Sequence, residues 1–155
     1  MNEPLPPLNL PPIDDLRTRL EKGILKVFDP LRAKYVAMTP EEFVRQHFTR
    51  WMITHLSYPP SLMNNEVSIS LNNTKRRCDT VVFRSDGSPL MIVEYKAPTV
   101  AVSQDVFDQI ARYNMVLKSR YLVVSNGLSH YCCEMDYESG SYSFLREIPV
   151  WNRTL

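Results

Sequence analysis

The sequence predicts an α/β domain in αβββαβ order: a mixed β-sheet flanked by helices, with a hairpin added at each end. Three observations predict it. Short apolar runs of strand type recur at 66–71, 77–84, 90–96 and 121–125. Two capped stretches with helical apolar spacing, 40–56 and 103–118, stand between or before them. Asp86-Gly87 between two of the apolar runs is a strong hairpin signal. At 155 residues, 44% hydrophobic and 23% charged, the chain suits one domain with a sizeable core, and no second domain is required.

Five of the twelve prolines fall within 1–12, where helix is blocked, so this stretch is expected to be a flexible or extended arm ahead of a single domain over 13–155. A short helix is expected over Asp14–Lys22. An apolar pair, Ile24–Phe28 and Lys34–Met38, turns at Asp29-Pro30. Thr39-Pro40-Glu41-Glu42 is a helix start, with threonine as N-cap, proline at N1 and glutamate at N3. Val44, Phe48, Trp51, Met52 and His55 then recur at helical spacing to about Leu56, before Tyr58-Pro59-Pro60 ends the helix.

Glu66–Leu71 alternates as a strand, pairing with the Arg77 strand across Asn72-Asn73-Thr74; Glu66 is a weaker candidate acid, and a plain edge residue is the favoured alternative. Ser103 caps a second helix to about Lys118, with Val106, Ile110, Tyr113 and Leu117 as its buried stripe and Gln109 beside it. Tyr121–Ser125 closes a β-α-β unit with a parallel partner over Leu90–Lys96. His130–Met135 and Ser141–Leu145 form a closing hairpin.

The functional signal lies on the central hairpin, where Asp79, Glu94 and Lys96 interrupt apolar runs. With Asp86 and Gly87 as a two-residue loop, Asp79 falls opposite Glu94 and Lys96 shares their face, together with Val81, Phe83, Leu90 and Ile92. Cβ atoms of opposed residues lie about 4.5–5.5 Å apart, which disfavours two like charges unless a cation sits between them. Two carboxylates and a lysine suit metal-assisted phosphodiester hydrolysis, because Mg²⁺ is held by one or two carboxylates with water and substrate phosphate. An ordinary Glu–Lys ion pair on an exposed sheet face is the plain alternative. Cys78 is expected to face away from Asp79, in the core.

These residues resemble the PD-(D/E)XK nuclease superfamily, with Asp79 as its first acid and Glu94-Tyr95-Lys96 as its E-x-K. More narrowly, the chain is similar to the N-terminal nuclease domain of type I restriction enzyme R subunits, from about Pro30 onward. Pro40–Gln46, Arg77-Cys78-Asp79, Glu94-Tyr95-Lys96, Gln109–Tyr113 and Ser125-Asn126-Gly127 carry the likeness in order. Ser125 stands where the family has threonine.

The resemblance implies a restriction-endonuclease-like core that cuts DNA with Mg²⁺, Mn²⁺ being able to substitute. Asp79 and Glu94 would bind the metal with the Tyr95 backbone carbonyl, and Lys96 would serve the attacking water. Gln109, as part of the catalytic set, and Tyr113, in support, match the Q-x-x-x-Y motif. Glu42 matches an acid on the first core helix, although an N-terminal cap explains it equally well. A core-satisfied amide is the alternative for Gln109. Two other readings stay open: a non-catalytic module of a restriction-modification system that binds DNA or docks a subunit, and a structural domain in which the trio is an ion cluster.

A formal net charge of +1 excludes binding nucleic acid chiefly through overall charge, so local clusters matter. Lys75, Arg76 and Arg77 lead into Asp79 and would draw phosphate there; a solvated strand entrance is the alternative. The four glycines form no G-x-x-x-x-G-K-[ST] loop, so no ATP binding is expected, and a separate motor or specificity subunit, or a homodimer, is left as partner. Cys78, Cys132 and Cys133 lack C-x-x-C spacing, and His47, His55 and His130 have no partners at zinc spacing. No run reaches the roughly 18 apolar residues of a membrane span, and a cytoplasmic protein is expected.

Overall fold

The computed structural model describes residues 5–155, in two sheets and two α-helices. An antiparallel three-stranded sheet comes first: β1 (Thr18–Glu21), β2 (Ile24–Asp29) and β3 (Lys34–Ala37). The helix expected over Asp14–Lys22 is absent: Thr18–Glu21 is strand β1, and residues 14–17 carry neither helix nor strand. Lys22-Gly23 decides this, because both residues have positive φ (52° and 79°) and Glu21 pairs with Ile24 across them as a two-residue hairpin. The guanidiniums of Arg17, just before β1, and of Arg19 within it also lie over the rings of Phe28 and Tyr35 in the next two strands.

Helix α1 (Pro40–His55) starts as its sequence predicts, with Thr39 Oγ1 accepting from the Glu42 N–H at 3.1 Å. Strands β4 (Met63–Leu71), β5 (Thr74–Phe83) and β6 (Pro89–Tyr95) follow, then α2 (Gln104–Asn114) with one 3₁₀ turn, then β7 (Tyr121–Ser125), β8 (His130–Asp136) and β9 (Ser141–Leu145). These six strands form a mixed sheet in sequential order, with β6 and β7 its parallel pair. Every residue of β7 is buried, and its side chains alternate between two cores. Tyr121 and Val123 join Val44, Phe48 and Met52 of α1, while Leu122 and Val124 join Phe107 and Ala111 of α2. The helices thus cover opposite faces, and burial of a side chain such as Phe48 or Phe107 contributes about 1.5–3 kcal/mol.

The α2 stripe differs from the expected one. Phe107, Ala111, Asn114 and Leu117 are buried, Val106 and Ile110 are half-buried, and Tyr113 is 47% exposed. Placing the bulkier Phe107 inward rotates the helix by about one residue and leaves Gln109 exposed on its flank.

The central hairpin differs too. The Gly87 N–H donates to the Arg84 carbonyl and the Arg84 N–H to the Ser88 carbonyl, so the loop is longer than two residues. Phe83 pairs with Pro89, and the register shifts between Val82 and Phe83, leaving Leu90 as the extra residue. The bulge offsets the longer loop. Val82 therefore pairs with Met91, Val81 with Ile92 and Thr80 with Val93, so Asp79 still comes level with Glu94. Leu90 itself is corrected: it packs with Met91 in the α1 core, not on the face of Asp79.

A second irregularity corrects the face expected of Cys78, though not its place in the core. Asn65 pairs with Thr80 and Val67 with Cys78, and Glu66 between them is left-handed (φ 55°). Side-chain alternation slips there, so Cys78 and Val67 pack in the α2 core alongside Val81, and burial pushes the Cys78 thiol up to about 12.

Of the proline-rich stretch, residues 1–4 lie outside the described residues. Residues 5–12 carry no helix or strand, yet the Asn9 N–H donates to the Gly127 carbonyl at 2.8 Å and Leu10 packs against the α1 core. Among the described residues no helix is long and apolar enough to cross a membrane.

Candidate active site

The ends of β5 and β6 open into a cleft of about 640 Å³ between α1, the β4 edge and α2. Asp79 and Glu94 lie together in it. Asp79 Oδ2 accepts from the Tyr95 N–H at 2.9 Å, which fixes that carboxylate against the strand carrying Glu94. Glu94 Oε1 is buried and, among the described residues, has no hydrogen-bond partner. Burial first, and the neighbouring Asp79 second, push the Glu94 carboxyl up to about 10, while the Asn114 amide pulls weakly the other way.

Such a pair is unfavourable by itself and suited to a bound cation. Among the described residues no three His, Cys, Asp or Glu side chains gather as a metal cluster. Two carboxylates, one with an unsatisfied buried oxygen, nonetheless fit Mg²⁺, which keeps much of its shell as water and phosphate oxygen. Lys96, half-buried, lines the same cleft just beyond β6, where its N–H continues the parallel ladder to the Ser125 carbonyl at 2.9 Å. Among the described residues its ammonium pairs with neither Asp79 nor Glu94, so the trio is no closed ion cluster.

Arg45, which the sequence reading did not single out, is the cation built into the site. It is 5% exposed and donates three ways: Nε to Glu42 Oε2 at 3.1 Å, Nη1 to the Asp79 carbonyl at 2.6 Å and Nη2 to Glu66 Oε1 at 2.6 Å. Glu42 is buried and does not line the cleft. Its carboxylate accepts from Arg32 Nη2 at 2.5 Å and Gln46 Nε2 at 2.9 Å, so it anchors Arg45 instead of reaching Asp79. Arg32 also pairs with Asp29, which accepts from Asn65, and Thr80 links Asn65 to the Tyr95 hydroxyl. This network ties the N-terminal sheet to both strands of the carboxylate pair. The legible signal was Arg45 three residues after Glu42, one helix face apart by a single turn; Asn114 could have been found as the polar member of the apolar 107, 111, 114 spacing.

The remaining candidates divide. Gln109 and Tyr113 line the cleft from α2, exposed, with no core role. Arg77 lines it from β5 and donates to Glu66 Oε2 at 2.9 Å. Arg76 lies outside the lining, stacked on the Tyr113 ring with its Nε donating to the Tyr113 carbonyl at 2.8 Å, and exposed Lys75 is also outside it.

A family model described as "Type I restriction enzyme R protein N terminus (HSDR_N)" matches residues 40–149. The chain belongs to this family. No curated protein matches it. As a type I restriction enzyme R protein N-terminal domain, it carries the cleft wholly within the matched span apart from Thr39, whereas β1–β3 precede that span. Asp29, at the end of β2, and Arg32, in the β2–β3 turn, which hold Asn65 and Glu42, therefore come from residues before the family match.

Proposed function

We propose that this chain is a metal-dependent DNA endonuclease of restriction-endonuclease-like fold, hydrolysing phosphodiesters at the Asp79–Glu94 pair. The observation that carries the reading is Glu94 Oε1, buried, unpaired and beside a second carboxylate. A structural ion cluster would place Lys96 on that oxygen. The run of elements from α1 to β7 is read as the nuclease core, within one domain over 13–155 that follows the proline-rich arm.

Asp79 and Glu94, with the Tyr95 carbonyl, would hold Mg²⁺ or Mn²⁺. Bound there, the ion supplies a water of lowered pKa and shields charge developing on phosphate oxygens. Lys96 holds the attacking water and steadies its proton. Gln109 and Tyr113 contact DNA from the α2 wall, and Lys75 and Arg77 draw phosphates toward it, while Arg76 secures Tyr113. Glu42 acts at one remove, by orienting Arg45. The partners this reading assigns are DNA and a separate motor or specificity subunit, with a second copy for double-strand breaks, in the cytoplasm.

Plasmid and single-stranded DNA incubated with Mg²⁺, Mn²⁺ or chelator test the reading. Metal-dependent nicking lost in Lys96→Ala supports it. Nicking equal in both proteins would mark a contaminant, and failure to bind both metal and DNA would overturn the assignment.

A further inference from the structure

Two arginines converge on one carboxylate at the mouth of the cleft. Arg45 Nη2 reaches Glu66 Oε1 at 2.6 Å and Arg77 Nε reaches Glu66 Oε2 at 2.9 Å, so each guanidinium holds a separate oxygen. Glu66 sits on the edge strand β4, beside Asp79, in a left-handed conformation that non-glycine residues adopt sparingly. Its side chain is 24% exposed, so it has a way out to solvent. Arg45, by contrast, is held from behind by Glu42 and the Asp79 carbonyl and would keep its position without Glu66.

A phosphodiester presents two oxygens to paired guanidiniums much as a carboxylate does. We propose that Glu66 stands in for a nucleic-acid phosphate, and that Arg45 and Arg77 form the seat of the phosphate next to the reacting one once DNA displaces it. This rests on the nuclease reading above. Without DNA, Glu66 satisfies the outward Nη2 of Arg45, whose Nε stays paired with Glu42. With DNA, a phosphate takes the same two donors and Glu66 turns outward from its edge strand. Arg45 would then link recognition to chemistry directly, since the same guanidinium holds the Asp79 backbone.

The test is anisotropy of a labelled DNA duplex with the full chain in chelator, where no cutting occurs, over a range of salt. Glu66→Gln removes the competing charge and should bind about tenfold tighter at low salt, the gain shrinking as salt screens it. In the Glu66→Gln/Arg77→Ala double variant the gain should disappear. Unchanged or weaker binding by Glu66→Gln at an unchanged melting temperature would overturn the proposal, as would a gain that persists without Arg77. Should Glu66→Gln not fold, Glu66→Asp keeps a charge for Arg45 but is too short to span both guanidiniums; it should bind a few-fold tighter, and no gain would overturn the proposal. If wild type binds and the variants match it, only the phosphate seat falls. If no form binds DNA, the nuclease reading falls with it.

Discussion

Replacing Glu94 with glutamine should make the metal-free protein more stable, and increasingly so as pH rises. The folded Glu94 carboxyl is held far above its ordinary value of 4.5 by burial and by Asp79, whereas in the unfolded chain it ionises normally. A carboxyl raised in this way contributes stability that is fully present below the unfolded value and lost as pH climbs toward the folded one. Between about pH 5.5 and 8.5 the folded state binds one proton more than the unfolded, and stability falls by about 1.4 kcal/mol per pH unit at the limit. Glutamine has no proton to retain. Allowing for solvent at the cleft, the advantage of Glu94→Gln should grow by about 1 kcal/mol per pH unit. From pH 6 to pH 8 that is about 2 kcal/mol, or about 4–8 °C in melting temperature for a chain of this size. Thermal and urea melts of both proteins in chelator at pH 6, 7 and 8 measure it. Parallel pH profiles, or a variant that loses ground as pH rises, would refute the reasoning by showing Glu94 ionised and satisfied in the folded protein. Adding Mg²⁺ should stabilise wild type, by about 2.7 kcal/mol at a hundred times its dissociation constant, and leave Glu94→Gln nearly unmoved.

Three further outcomes are expected. Lys96→Ala should lower metal-dependent cleavage at least about a hundredfold, as expected for loss of a group that handles the proton; its melting temperature should stay within a few degrees of wild type, because Lys96 pairs with neither carboxylate, and circular dichroism melts check that. Arg45→Ala should destabilise by about 3–5 kcal/mol in urea unfolding, since it leaves the buried Glu42 carboxylate without one of its cations and the Asp79 carbonyl without its donor. Gly127→Ala should cost about 1–3 kcal/mol by the same assay: Gly127 has φ 85°, and an added Cβ would lie 2.7 Å from Leu8 Cδ2 and 3.2 Å from Val44 Cγ2.

Local chemistry made much of this protein legible in advance. Thr39-Pro40 starts α1 and Ser103 caps α2 because a hydroxyl accepting an orphan N–H is a contact between near neighbours in sequence. The apolar run at 121–125 is buried on both faces, and that continuity reads as a central strand. Asp79, Glu94 and Lys96 were visible because charge is costly where both faces are covered. Even the opposition of Asp79 and Glu94 survived a wrong loop length, but only because the bulge at Leu90 restored the count.

What the sequence could not determine depends on contacts between distant segments. Whether 18–21 is helix or strand was decided by pairing with β2, since a four-residue segment has too little propensity to settle its own conformation. Which side of α2 faces inward was decided by fitting Phe107 against both Leu122 and Tyr142, not by counting apolar residues. Glu42 shows the difference most clearly. Its place at N3 was written in Thr39-Pro40-Glu41-Glu42, but its role was set by Arg32 from the N-terminal sheet and by Arg45. A buried carboxylate takes whatever cations the fold brings within reach, and those cations arrive from ten residues before it and three after. The charges of the central hairpin were legible because they interrupt apolar runs, whereas the burial of Arg45 and Asp29 was not; which charges are paired follows from contacts between distant segments, and among the described residues these leave Glu94 Oε1 unpaired.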